Sequence, residues 1–410
     1  MLTKSSTELV RQQNSVLVLS ALRRHGRLAH TEISDFTRLS SATVSAITAD
    51  LEKAQIIVRT ENQALSGRGR PRVLFEQRRD CGFLIVVIIS SDALQFSLVD
   101  YAGRLLDRFS EARPPALSIA ASFLEAIRLG LERVIARAGL SRQQVKLISI
   151  SSKGLVNQEQ AELVWSPVLG EQRVDFAGAL KAEWSAKILL NNETLLVAAA
   201  LGERAEKDGT EAFRSLAALS LGHSIGLGIV RRTSAGGQKA IASNFGHMLH
   251  VPGGALCRCG ARGCVEAYSG FYAILRAAFE VPQDTIPAKF VPIGELDKIA
   301  ASARQGNRNA IFAFRQSAQA LGIGLSRMLS LHERMPIVVT GPGTRYFDLL
   351  RVGMGEGLLQ SQTVRLEGMP VLSVVADEQG LVFEGHLNRA LAIIDQDVVG
   401  AMGSGFTATM

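Results

Sequence analysis

GFLIVVIISSDALQFSLVDYAGRLLDRFS, residues 82–110, decides the fold class. Its apolar, β-branched runs and the turn signal at Tyr101–Gly103 predict a β-meander. Beyond it, strands and helices alternate. A long amphipathic helix (118–139) precedes the strand KLISISS (146–152). KILLNN (187–192), the helical TLLVAAALGERA (194–205) and the strand-turn-strand 215–232 follow. Another long helix (312–333) leads into PIVVTGPG (336–343). Strands mixed with helices, with glycine-rich turns at strand ends, predict an α/β domain. The pattern runs in two halves, which fits two lobes around a ligand cleft.

Upstream, the first eighty residues carry a different plan. In NSVLVLSALRRHG, Val16, Leu19, Ala21 and Leu22 recur at helical spacing until Gly26 ends the run. HTEISDFTRL is short and amphipathic, with Ile33, Phe36 and Leu39 expected to face inward. SSATVSAITADLEKAQ starts at Ser40, a good N-cap, and would bury Val44, Ile47 and Leu51. Its other face offers Ser41, Thr43, Ser45 and Thr48, small polar groups suited to close approach to base edges and phosphates. This is the helix-turn-helix order, with the last helix destined for the major groove of duplex DNA. IIVRT and RVLFE are strand-like and flank ENQALSGRGRP, so they predict a wing. Arg68, Arg70 and Arg72 would then reach the minor groove or the phosphates.

Charge agrees with that division. The 410 residues carry a net charge of +7; residues 1–80 hold 13 Lys/Arg against 8 Asp/Glu, a net +5. A basic head points to a polyanionic partner. The polar start MLTKSSTELVRQQNS is no secretory signal, and the longest apolar run, FLIVVII, is far too short to span a bilayer. The expected setting is the cytoplasm, with no membrane partner and with thiols reduced. The domains are placed at 1–78 (winged helix-turn-helix), 79–398 (the α/β body, binding ligand and dimerising) and 399–410 (a flexible tail).

Three of the four cysteines, Cys257, Cys259 and Cys264, fall within eight residues. In a reducing compartment such a cluster more often binds metal than forms disulfides. Gly260 and Gly263 permit the turns that aim the three sulfurs together. Zinc wants a fourth ligand. Cys81 is distant and precedes a strand, as a small buried residue would; His247 is the better candidate.

LSLGHSIGLGIV (219–230), FGHM (245–248) and CRCGARGCVEAY (257–268) together resemble the ROK family of repressors and sugar kinases. The resemblance spans about 80–395. With the winged head it points to the repressor branch, which holds the xylose and N-acetylglucosamine repressors. It implies a two-lobed, actin-like, ribonuclease-H-type body and a structural zinc on His247, Cys257, Cys259 and Cys264. It also implies a sugar contact by Glu266 and His247. Several positions depart from the kinases. The Asp-x-Gly-Gly-Thr phosphate loop is replaced through Ile88, Ser90, Ser91 and Asp92, so no cradle for ATP is expected. The base position falls at Glu193 after Asn192, or, with a shift of one, at Asn192 itself. No catalytic residue is assigned and no enzyme is expected. In the pocket, Asn244 replaces a Glu, Val168 replaces an amide, and Lys153 adds a cation that would suit an acidic or phosphorylated sugar. The expected ligand-binding set is Lys153, Asn192, Glu193, Asn244, His247 and Glu266. The whole reads as a homodimeric or tetrameric repressor of carbohydrate-related genes, binding a double-stranded operator and a sugar or sugar-derived effector. The alternatives are an active sugar kinase bearing a DNA head and a ligand-blind dimeric regulator.

Overall fold

The computed structural model describes residues 6–61, 73–113, 119–207, 213–233 and 237–402. The head opens with α1 (Ser6–His25), α2 (His30–Thr37) and α3 (Ser41–Lys53). The Ser40 hydroxyl accepts from the Thr43 amide at 3.2 Å, which fixes the start of α3. Val44, Ile47 and Leu51 are buried on its inner face beside Val18, Leu19 and Ile33. Strands β1 (Ile57–Glu61) and β2 (Val73–Gln77) pair antiparallel as the wing's stem. Phe36 departs from expectation. It is 52% exposed and stacks on His25 at 3.8 Å, so the inward face of α2 rests on Ile33.

The body is a duplicated plan. Its first sheet uses β3 (Phe83–Ile89), β4 (Ala93–Asp100), β5 (Leu105–Ala112), β6 (Val145–Ser152) and β10 (Lys187–Asn192). The order is β10-β6-β3-β4-β5, an antiparallel meander extended by two parallel strands. The second sheet uses β11 (Ser215–Ser220), β12 (Gly226–Arg232), β13 (Gln238–Ser243), β14 (Ile337–Thr340) and β15 (Leu372–Val375). Its order, β15-β14-β11-β12-β13, repeats the first in pattern and in strand direction. Short strands β7 (Leu155–Asn157), β8 (Glu162–Trp165) and β9 (Val174–Asp175) form a small sheet beside the first. The two halves foreseen in the sequence are these two lobes.

Helices cover the sheets: α4 (Ala120–Arg137), α5 (Phe176–Leu180), α6 (Glu193–Lys207), α7 (Glu266–Ser269), α8 (Phe271–Ala278), α9 (Ile293–Arg304), α10 (Arg308–Leu331), α11 (Phe347–Leu358), α12 (Gln362–Glu367) and α13 (Glu378–Met402). Each lobe has its own outer core, Phe96, Phe123 and Ile148 in the first, Phe314, Leu325 and Ile337 in the second. A third buried cluster lies between the lobes. It joins the inner faces of β3 and β11 to α6 and α13, and continues without a break into α1 and α3 of the head. The C-terminal helix runs to Met402, because Val399 is buried in that shared core; residues 399–402 of the stretch read as a tail are therefore helical. Among the described residues, no helix is long and apolar enough to cross a membrane.

Candidate functional site

Two surfaces carry chemistry. On the head, Ser41 and Ser45 of α3 are exposed and Thr43 is half-buried, its hydroxyl 2.8 Å from that of Ser40. Thr48 is a correction. It is 1% exposed, and its hydroxyl donates to the carbonyls of Val44 and Ser45 and meets His30 Nε2 at 2.8 Å. One turn beyond Val44, it lies on the inner face of the helix, where a polar group survives only if hydrogen-bonded. The outward face is Ser41, Ala42, Ser45, Ala46 and Ala49. The three alanines offer no hydrogen-bonding group and so give no signal in the sequence. Arg68, Arg70 and Arg72 lie outside the described residues.

In the body, a small cavity of about 50 Å³ opens between the lobes. Lys153, Asn192, Asn244, His247 and Glu266 line it, with Trp165, Thr194, Ser220 and Ser224 among others. Glu193 is not on that wall. Gly154 sits at φ +118°, and a Cβ there would lie 2.2 Å from the Trp165 carbonyl, so the turn beside Lys153 requires glycine. Asn192 Nδ2 donates to the Gly154 carbonyl at 2.7 Å, and Asn192 Oδ1 caps α6 by accepting from the Thr194 amide at 2.9 Å.

The charges in the cleft are paired with one another. Lys153 Nζ lies 3.8 Å from Glu193 and 3.6 Å from Glu378, and the Ser220 hydroxyl donates to Glu378. Burial alone would lower the Lys153 pKa; Glu378 and Glu193 reverse that and hold it above the usual lysine value. Burial pushes Glu193 up to about 7 against the pull of Lys153, and its Oε1 has no hydrogen-bond partner among the described residues. On the other wall, Arg258 and Glu266 form a buried pair, 5% and 1% exposed. Arg258 Nη2 reaches Glu266 Oε1 and Ser224 Oγ, each at 3.0 Å, and also the His223 carbonyl; Nη1 donates to the Lys289 carbonyl. The Ile225 amide donates to Glu266 Oε2 at 3.0 Å. Lys153 is no spare cation awaiting an anionic ligand, since two carboxylates already serve it. Sequence reading missed Arg258, Glu378 and Ser220. A charge set between two cysteines was a signal for Arg258; Glu378 offered none.

His247, Cys257, Cys259 and Cys264 converge, their ligand atoms all within 4.8 Å of one another. A tetrahedral ion with bonds near 2.3 Å to sulfur and 2.0–2.1 Å to nitrogen needs edges of roughly 3.8 Å between sulfurs and 3.5 Å from sulfur to nitrogen. Cys259 and Cys264 are 3.7 Å apart, and His247 Nδ1 is 3.5 Å from Cys257. The donor set fits. Thiol donation from Cys264 draws Cys257 down to about 3 and pushes Cys264 far up, while burial raises Cys259. A bound cation would favour the thiolate form of all three cysteines. Gly263, at φ +82°, would place a Cβ 1.7 Å from the Val251 carbonyl, so the loop closes only with glycine there. Cys81 stands apart and half-buried, its thiol donating to the Gln55 carbonyl at 3.3 Å.

The β3–β4 turn, where a kinase would hold phosphate, is closed on itself. The Ser90 hydroxyl donates to Asp92, the Arg113 guanidinium to the Ser91 carbonyl, and the Arg113 amide to the Asp92 carbonyl at 2.7 Å.

Comparison with known proteins follows the same division. The ROK family profile matches residues 89–376, and a winged helix-turn-helix DNA-binding profile matches residues 12–58. The xylose repressor of Caldicellulosiruptor bescii is 23% identical over 348 residues, covering 83% of this chain and 86% of the repressor. The glucokinase of Streptomyces coelicolor is 28% identical over 274 residues, covering 63% of this chain and 82% of the kinase. A crystal structure described as a ROK family transcriptional regulator, a homologue of the E. coli MLC protein, superposes with a TM-score of 0.72. It covers 97% of this chain and all of its own, at 22% identity, and so speaks to the fold.

Proposed function

The chain belongs to the ROK family, and we propose that it acts there as a DNA-binding transcriptional regulator, a repressor of carbohydrate-related genes. One observation carries the reading: the small-residue face of α3 stands free on a basic head joined to a body of sugar-kinase plan. Ser41, Thr43 and Ser45 approach bases or phosphates in the major groove, together with Ala42, Ala46 and Ala49; Arg68, Arg70 and Arg72 serve the minor groove or the phosphates. Two copies joined through the body present two heads to a two-fold related operator. Such a protein works in the cytoplasm.

The body senses and does not catalyse. The phosphate turn is filled by Arg113, and Glu193 faces Lys153 rather than the cavity. The effector is a neutral sugar. Lys153 and Arg258 are each matched by carboxylates, which leaves the wall polar and without a spare cation. Lys153, Asn192, Asn244, His247 and Glu266 supply its hydroxyl partners, and Glu193 acts from behind Lys153. About 50 Å³ suits a few water molecules, so the lobes part to admit a sugar. The His247–Cys257–Cys259–Cys264 cluster takes zinc, closed by four protein ligands and therefore structural.

Selection from a random duplex library tests the central claim. An enriched near-palindrome with AT-rich stretches under the wings is expected. Strong, salt-sensitive binding with no enriched sequence would reduce the head to an electrostatic anchor. A panel of sugars with ATP should yield no phosphorylated product; turnover would restore the kinase reading.

A further inference from the structure

The C-terminal helix touches both sites. At its first residue, Glu378 holds Lys153 from the first lobe and Ser220 from the second. Seventeen residues on, about 25 Å along the helix axis, Asp395 holds the head. Arg23 of α1 grips Asp395 with Nη1 at 2.5 Å and Nη2 at 2.8 Å, and the Tyr101 hydroxyl donates to the same carboxylate at 2.7 Å. Asp395 is 1% exposed, so this is a buried, directional contact. The guanidinium also lies 5.3 Å from the Tyr101 ring centre. Between these ends the helix is locked to its neighbours. Gly385 runs so close to α6 that a Cβ would sit 2.4 Å from the Leu196 carbonyl. His386 Nδ1 meets the Ser149 hydroxyl at 2.7 Å, wholly buried. Helix α6 itself starts at Glu193, the second partner of Lys153.

We propose that α13 is the transmission element between the effector cleft and the DNA head. This rests on the regulator reading above. The Lys153–Glu378–Ser220 contact fastens the two lobes together at the wall of the cavity. A ligand that enters must part the lobes and release Glu378. Because α13 and α6 touch backbone to backbone, the helix pair shifts as one body. Asp395 then carries Arg23 and α1 with it, since head and interlobe layer share one core. The two arrangements of α13 are the two states that ligand and DNA bias in turn. Thermodynamic reciprocity requires that loosening either end be felt at the other.

The test needs no ligand. Amide exchange is followed by mass spectrometry in the full-length protein, in peptides covering α1 and in peptides around Lys153 and Glu193. Glu378→Gln should speed exchange in α1 about fivefold or more, the lower range of ordinary allosteric coupling. Asp395→Asn should do the same around Lys153. Should Asp395→Asn fail to fold, Arg23→Gln disrupts the same contact from its more exposed partner. Asp397→Asn serves as control: it lies on the same helix, but its partner is Lys187 at the start of β10, and both side chains are at least half exposed. Reciprocal effects from the two end variants, with the control silent, support the proposal. Effects confined to the mutated end overturn it. So does a control that moves both ends, because that is general loosening. A failed operator search would sink the regulator reading and leave this exchange result standing, so the two failures are distinguishable.

Discussion

The cysteine loop and the cleft beside it share His247, yet they are built in opposite ways. The loop assembles four ligands from eighteen consecutive positions, 247–264, on turns fixed by two glycines. The cleft assembles its charges from positions as far apart as Lys153 and Glu378, and from Arg258 folded back onto Glu266. One site is set by local spacing. The other is set by topology, which brings the end of β6, the start of α6, the end of β11 and the start of α13 to one point. Local sites tolerate change elsewhere in the chain; assembled ones respond to it.

Metal removal is the largest expected break in that comparison. A four-ligand structural site contributes folding energy directly. Chelation, or Cys264→Ser, should lower Tm by roughly 10 °C, corresponding to several kcal/mol in a body of this size. One zinc per chain by elemental analysis is the companion result. Loss of metal without loss of stability would make the cluster incidental.

Arg258 ranks next. Removing one partner of a buried ion pair costs roughly 3–5 kcal/mol, whereas replacing both by apolar groups is often close to neutral. Arg258→Met should therefore destabilise more than the double variant Arg258→Met with Glu266→Leu. Denaturant midpoints measure both. If the single and double variants fall together, Arg258 acts through packing on Tyr272, whose ring centre is 5.1 Å away, and not through charge.

The sequence was most legible where residues act on near neighbours. The head's order, the meander turn at Tyr101–Gly103 and the convergence of His247 with the three clustered cysteines follow from spacing alone or from spacing and a family resemblance. Thr48 was misplaced because a threonine can satisfy its hydroxyl on the preceding turn and turn inward. Lys153 suggests a cation for an acidic sugar because its partner Glu378 lies 225 positions away, and no local pattern announces it. The merging of head and interlobe cores was equally hidden: the apolar faces of α1 and α13 look complete in isolation, and only packing joins them.

Acidity offers a smaller test of the assembled site. Burial raises Glu193 from the ordinary carboxylate value of 4.5 to about 7. The folded chain then binds more protons than the unfolded chain between those values. Stability should fall as pH rises from about 4.5 to about 7, by at most about 1.4 kcal/mol per pH unit from this group. Glu193→Gln should flatten that slope. An unchanged slope would mean that Lys153 keeps the carboxylate ionised throughout.

The smallest effect belongs to the head. If Ala42, Ala46 and Ala49 meet the major groove, their methyls find the C5-methyl of thymine, the one apolar feature a base pair presents there. Replacing single thymines by uracil in the selected operator deletes those methyls and leaves the hydrogen-bonding pattern intact. Each contacted position should lose about 0.8 kcal/mol, roughly fourfold in affinity, the value of one buried methylene-sized group. Ala46→Gly also lowers the stability of the head, whatever the operator, because glycine costs about 1 kcal/mol in a helix. The informative quantity is therefore the ratio of thymine to uracil affinity. At the base facing residue 46 the ratio should fall toward one in Ala46→Gly and stay near four elsewhere. A ratio near one throughout the unmodified complex would show that α3 reads the groove through Ser41 and Ser45, and that its alanines only allow the approach.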